Sequence, residues 1–314
     1  MPPLDWSIVQ AKLLTIILPS FAVAAIITLL AFWLTKSVAY RSLAASLGLI
    51  GGITAGLAIA GPNETHIQFL ATTYVAPTYD DADPATQVTA GRWKLQTGWY
   101  SLYSVAIVAS LADVLIYLVI RPRSTIALVS LVAVTCLGCA LWQTPDHVTA
   151  YPLEYGLLAC VCVANWLALH SAAQLNQGIL LPLWLATIWY GSATMLIVLS
   201  HTALFADFAI LMSCALAGIG VIAAIGRQKL LTTMAVPAVY LPGLILEDYL
   251  NSYNKILLIS FVLIAIAPGL FVGLLHPRIR EWFQQRPLLL SFAFLIPCTV
   301  AVGLAMWSEL FVSE

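Results

Sequence analysis

Charge is what this chain lacks most. Only 9% of its 314 residues are Asp, Glu, Lys or Arg, against about 25% in a soluble domain. So few charges cannot cover a water-facing surface, which makes lipid the main solvent. Spans of about 20 residues use up most of a chain that is 61% hydrophobic, leaving no room for an ordinary soluble domain. Residues 1–314 therefore read as a single membrane-embedded domain. The net charge of −1 offers nothing to nucleic acid. The partner implied is the lipid bilayer, with room for protein partners in a membrane complex.

Motifs are missing too. There is no Walker phosphate loop, no Gly-x-Ser-x-Gly and no His-Glu-x-x-His, so a nucleotide-driven pump does not fit within this chain. No Cys-x-x-Cys-His supports covalent haem, and no motif implies any cofactor. All six cysteines fall in apolar runs, so no extracellular disulfide framework is implied. Cys136 and Cys139 share a helix face. Cys160 and Cys162 lie about 200° apart around theirs and cannot both face one partner. Buried thiols packing as small apolar groups account for all four. Met1–Trp6 carries Asp5 in place of the positive region that opens a cleavable signal.

What is present is a run of ten apolar stretches: 13–35, 42–61, 100–120, 125–142, 153–172, 179–199, 204–226, 230–247, 256–275 and 287–309. Assigning the connections alternately to two faces sorts the charges. Nine cations share one face: Lys36, Arg41, Arg121, Arg123, Arg227, Lys229, Arg278, Arg280 and Arg286, with Glu281 as its one acid. Acids dominate the other, among them Glu64, Asp80, Asp81, Asp83, Asp146, Glu154, Asp207, Glu247 and Asp248. Loops rich in Lys and Arg stay cytoplasmic. The expected fold is an all-α polytopic bundle of ten transmembrane helices, both termini on the outer face, in a bacterial-type cytoplasmic membrane. Without a crossing at 230–247 the sorting collapses.

Residues 62–99 are the one long connection. Their aromatics, including Tyr74, Tyr79 and Trp93, suit the membrane–water interface. Asp83-Pro84 reads as an N-cap with proline at N1, so a short helix is expected to run on through Trp93 and Trp99. In the second stretch Gly48, Gly52 and Gly56 repeat every four residues on one face, a helix-packing signal. The two halves show no convincing repeat.

Few residues carry chemistry. Asp113 lies inside the third stretch, about 12 Å from Arg121 along the helix. Ala106, Ala109 and Ser110 share its face, which should turn toward other helices. A carboxylate at that depth is costly unless paired or hydrated. Asn165 and Thr187 are placed at similar depth. Pro237, Pro242 and Gly243 predict a kinked or broken eighth helix, the kind of element around which transporters build sites, and Pro268-Gly269 repeats the theme. Trp166, Trp184 and Trp189 are candidate packing anchors. His66, His147 and His201 sit at outer ends beside aspartates and are weak metal candidates, since none has ligand spacing with another. Asp80-Asp81-Ala82-Asp83 lacks the glycine and terminal glutamate of a calcium loop.

These features point first to a secondary transporter or permease for a small solute or ion. The alternative is an embedded subunit or assembly protein of a larger membrane complex, favoured by the scarcity of intramembrane polar groups. The third is an enzyme on a lipid-type substrate; its ligands would be scattered, so the reading leans away from an enzyme.

Overall fold

Backbone N–H and C=O groups that meet hydrocarbon must bond within their own segment, so an apolar chain folds as helix. A computed structural model of the protein describes residues 13–35, 37–60, 72–75, 92–95, 101–120, 124–143, 150–200, 202–230, 233–252 and 256–311. Each of the ten apolar stretches contains helix. A π-turn at Leu13–Ile17 leads into α1 (Leu18–Leu34), and α2 (Val38–Ala60) packs back along it. Next come α3 (Ser101–Val114), which continues as a π-helix over Leu115–Ile120, then α4 (Thr125–Gln143) and α5 (Pro152–Ala173). The sixth rod is composite: α6 (Leu181–Trp184), a π-segment (Leu185–Tyr190) and α7 (Gly191–Leu199). After it run α8 (Ala203–Gly226), α9 (Ala235–Asn251), α10 (Leu258–Ile266) with a 3-10 continuation over Pro268–Leu275, α11 (Pro277–Gln284) and α12 (Pro287–Phe311).

Among the described residues six segments have the length and composition to cross a membrane: Thr125–Trp142, Pro152–Ala173, Leu181–Leu199, Phe205–Gly226, Leu258–Leu275 and Leu289–Glu309. The packing is that of an integral membrane protein. Trp33, Ile126 and Leu153 are about 80% exposed (82%, 81% and 79%), whereas Asp113 and Asn165 are fully buried. Large apolar side chains cover the outside as well as filling the core, while Asp113 and Asn165 sit inside, unlike the surface of a water-soluble domain.

Small residues set the closest approaches, because lipid supplies no hydrophobic drive between helices. A Cβ on Gly48 would lie 2.9 Å from Thr28 Oγ1, and one on Gly52 would lie 2.6 Å from the Ser20 carbonyl. Gly56 sits against Ser20 and Leu211, and a Cβ on Gly218 would come within 2.5 Å of the Phe21 carbonyl. The glycine face of α2 thus packs α1 and α8 into one tight trio.

The charged ends sort in space. At one end Arg41 donates to the Thr35 and Phe32 carbonyls and caps the last turn of α1. Phe32 also packs against Gly226 at the end of α8. Lys229 and Arg280 both reach Gln174, just past α5. At the opposite end of α5, Tyr155 donates to Glu247 at 2.6 Å. Asp248 accepts from Ser200 at 2.7 Å and from Thr202, pinning the α7–α8 turn to the end of α9.

Two expectations need correction. Arg92–Leu95 pairs antiparallel with Thr72–Val75, Trp93 opposite Tyr74, so Trp93 lies in a strand and not in a helix. The described part of the third helix starts at Ser101, and among the described residues two short paired strands accompany the helices. The second concerns the eighth helix. Pro237 and Pro242 do not break α9, which runs unbroken over Ala235–Asn251. Pro237 is the third residue, in the first turn, where no intrahelical acceptor awaits its missing N–H.

Candidate functional site

The interruption in the eighth stretch comes earlier than its prolines suggest. Leu230, Thr233 and Met234 are buried yet non-helical, and α9 starts inside the protein. Its first-turn N–H groups have no partners within the helix. Asp113, arriving from α3, supplies one: its carboxylate accepts the Ala235 backbone N–H. A negative group at a helix N-terminus also complements the helix dipole. Non-helical backbone at this depth is tolerated because protein, not lipid, surrounds it.

The second oxygen-rich contact comes from α5. Trp166 donates its indole N–H to Asp113 Oδ1 at 3.2 Å. Both side chains are completely buried, and a buried indole N–H needs an acceptor. Asp113 Oδ2 has no hydrogen-bond partner among the described residues.

One residue before Trp166, Asn165 serves another interruption. Pro268 has no N–H, so the Ile264 carbonyl, four residues back, loses its helical partner. The chain tightens into 3-10 geometry over Pro268–Leu275. Two side chains from neighbouring helices take the freed carbonyls. Trp189 donates to Ile264 O at 2.7 Å, and Asn165 Nδ2 donates to Ala265 O at 2.8 Å. A Cβ on Gly269 would lie 2.9 Å from Asn165 Oδ1, so glycine is what lets the broken strand of chain close on α5. Asn165 Oδ1 is buried and, like Thr233 Oγ1 beside the start of α9, lacks a partner among the described residues.

Consecutive residues of α5, Asn165 and Trp166, thus reach the break after α10 and, through Asp113, the start of α9. The surrounding backbone is irregular as well. The π-segment after Asp113 and the π-segment carrying Trp189 and Tyr190 both adjoin the junction, and π-turns inside helices recur at functional sites. Tyr190, Pro237, Pro242 and Gly243 are buried beside it.

Compared with family models, curated proteins and solved structures, the chain matches none. The site rests on its geometry alone.

Not every candidate belongs to it. Thr187 is exposed on the outside of the bundle and bonds back to Leu183 O within its own helix. His66, His147 and His201 lie outside the described residues, and no group of three His, Cys, Asp or Glu that could hold a metal occurs among those described. Cys136, Cys139 and Cys162 are buried free thiols, and Cys160 faces outward, as its 200° offset from Cys162 requires. Gly48, Gly52 and Gly56 sit in the α1–α2–α8 trio. Reading from sequence missed Trp166 and Trp189 as donors. The available signal was physical: an indole N–H in hydrocarbon demands an acceptor, and Pro268 frees one four residues earlier.

Between α5, α9 and α10 lies a groove of about 550 Å³. It begins at Glu154, Tyr249 and Leu258, at the acidic end of the bundle. It finishes at Val161, Ala265 and Ile266, one helical turn, about 6 Å, before Asn165. Pro242 lines it.

Proposed function

We propose that the protein is a secondary transporter for a small solute or ion, threading a bacterial-type cytoplasmic membrane ten times with both termini outside. The observation that carries this reading is the junction at Asn165 and Trp166. There an intramembrane carboxylate meets the buried start of α9, the proline break after α10 packs on the neighbouring residue of α5, and among the described residues Asp113, Asn165 and Thr233 each keep a buried oxygen without a partner. Transporters place binding sites at discontinuous helices because freed backbone groups and half-helix ends hold ions there. Buried acids in such positions serve as proton or ion relays. Asp113 is the coupling group in this reading, and the groove leads solute from the acidic face toward it. The separation of Arg41, Lys229 and Arg280 from Glu154, Glu247 and Asp248 supports a cytosolic basic end.

Proteoliposomes with a trapped pH dye test the function. Solutes that move protons through the wild type should fail to do so through Asp113→Asn, with elution profile and unfolding temperature unchanged. Equal flux in the variant would exclude Asp113 as the coupling group. Reporter tags after Arg123 and after Asp248 should land in different compartments; the same compartment for both would end the ten-span layout.

A second reading is an embedded subunit of a larger complex. It is favoured by the fact that Asp113, Asn165, Trp166 and Trp189 all satisfy backbone or one another. Stable partners that co-purify in mild detergent, with no flux by the isolated chain, would select it.

A further inference from the structure

We infer that the groove between α5, α9 and α10 is a binding site for a lipophilic organic monocation. The inference deepens the transport reading and rests on it only for calling that cation a substrate. Three features on one surface define the ligand. The walls are aliphatic and aromatic, and about 550 Å³ falls within the range of pockets that enclose a small organic molecule. Among the described residues the one charged group in the lining is Glu154, at the mouth, partly buried in the first turn of α5. Beside it Tyr249 and Phe261 meet edge to face, centroids 5.4 Å apart, and both line the groove.

A carboxylate with aromatic rings in a low-dielectric mouth favours positive charge. Among the described residues no Lys or Arg lines the groove, so a phosphate or carboxylate on the ligand would meet no counter-charge from them and would oppose Glu154. That disfavours an anionic or zwitterionic phospholipid headgroup. The walls exclude a small hydrated cation, which would leave its water for aliphatic surface. What remains is a single diffuse positive charge on an apolar body. Such a molecule partitions into the membrane and can enter sideways between Leu157 and Val262, both exposed at the groove rim.

Tetraphenylphosphonium and tetraphenylborate are matched in size and opposite in charge, which separates charge from hydrophobicity. Equilibrium binding to the purified full-length chain in detergent is expected to be saturable for the cation and at least about tenfold weaker for the anion, the size of one charge contact in a partly desolvated site. Glu154→Gln should weaken the cation about tenfold and leave or improve the anion. Loss of a merely structural helix-start contact would weaken both alike. Val161→Phe, which fills the inner end, should weaken both. Equal affinity for the two ions in wild type marks a groove for any acyl chain and overturns the proposal, as does an unchanged preference in Glu154→Gln. Saturable, charge-selective binding without uptake into proteoliposomes would remove the transport reading and keep the site. Flux of another solute with no phosphonium binding would do the reverse.

Discussion

Replacing Trp189 with Phe removes the indole N–H that occupies the Ile264 carbonyl while keeping an aromatic ring in place. That carbonyl is free because Pro268 cannot donate, and the Trp189 bond is short at 2.7 Å. The oxygen is not wholly orphaned by the change, since Ala267 N also reaches it at 3.3 Å. A fully unsatisfied buried group costs about 1–3 kcal/mol, and interhelical hydrogen bonds measured in membranes average about 0.6. With a second, longer donor present, the hydrogen-bond part of the loss should be about 1 kcal/mol. Ring shrinkage adds a packing cost that must be separated. Pro268→Ala does so, because the restored amide N–H can take the same carbonyl. In that background Trp189→Phe should keep its packing cost and lose most of its hydrogen-bond cost. Equilibrium unfolding in mixed detergent, followed by circular dichroism, gives the four free energies of the cycle. A coupling of about 0.5–1 kcal/mol is expected. If Trp189→Phe costs the same in both backgrounds, within about 0.3 kcal/mol, the indole is only a packing group and the account of the break fails.

Asp113→Ala leaves the Trp166 indole and the Ala235 amide as buried donors without their acceptor, and should cost about 2–4 kcal/mol. Asp113→Asn keeps a carbonyl oxygen and should cost about 1 kcal/mol or less; detergent unfolding compares the two. Gly52→Ala places a methyl 2.6 Å from the Ser20 carbonyl and should lower stability by about 1–3 kcal/mol. Gly138→Ala meets nothing within 4 Å and should raise it by about 0.5–1 kcal/mol. Removing the Asp248 carboxylate with Asp248→Ala should free the α7–α8 turn and speed its cleavage by added protease; unchanged cleavage would show that Ser200 and Thr202 hold the turn alone.

Much of the layout could be read from the residues. Hydropathy located the long apolar helices to within a few residues but not the short polar α11, and spacing placed Asp113 on the buried face it shares with Ala106, Ala109 and Ser110. The location of the interruptions was not legible. Pro237 and Pro242 look like the break, yet the first sits where a helix has no N–H acceptor to offer and the second is absorbed within α9. The helix starts only at Ala235, and the described residues before it, Leu230, Thr233 and Met234, are non-helical without any proline among them. Thr187 was chosen by depth along its helix, which does not fix the side a residue occupies, and it faces outward. The pairing of Asn165 with Ala265 depends on which helices neighbour one another, and periodicity is silent on that.

Hydrogen exchange tests the central claim most directly, that the junction held by Asn165 and Trp166 opens to water while the rods around it stay closed. Peptides covering 233–238 and 266–276 should exchange within minutes in mild detergent, while the centre of α5, over 158–170, stays protected for hours. Equal protection of all three over hours would mean that no aqueous route reaches the interrupted helices, and transport through them would be contradicted.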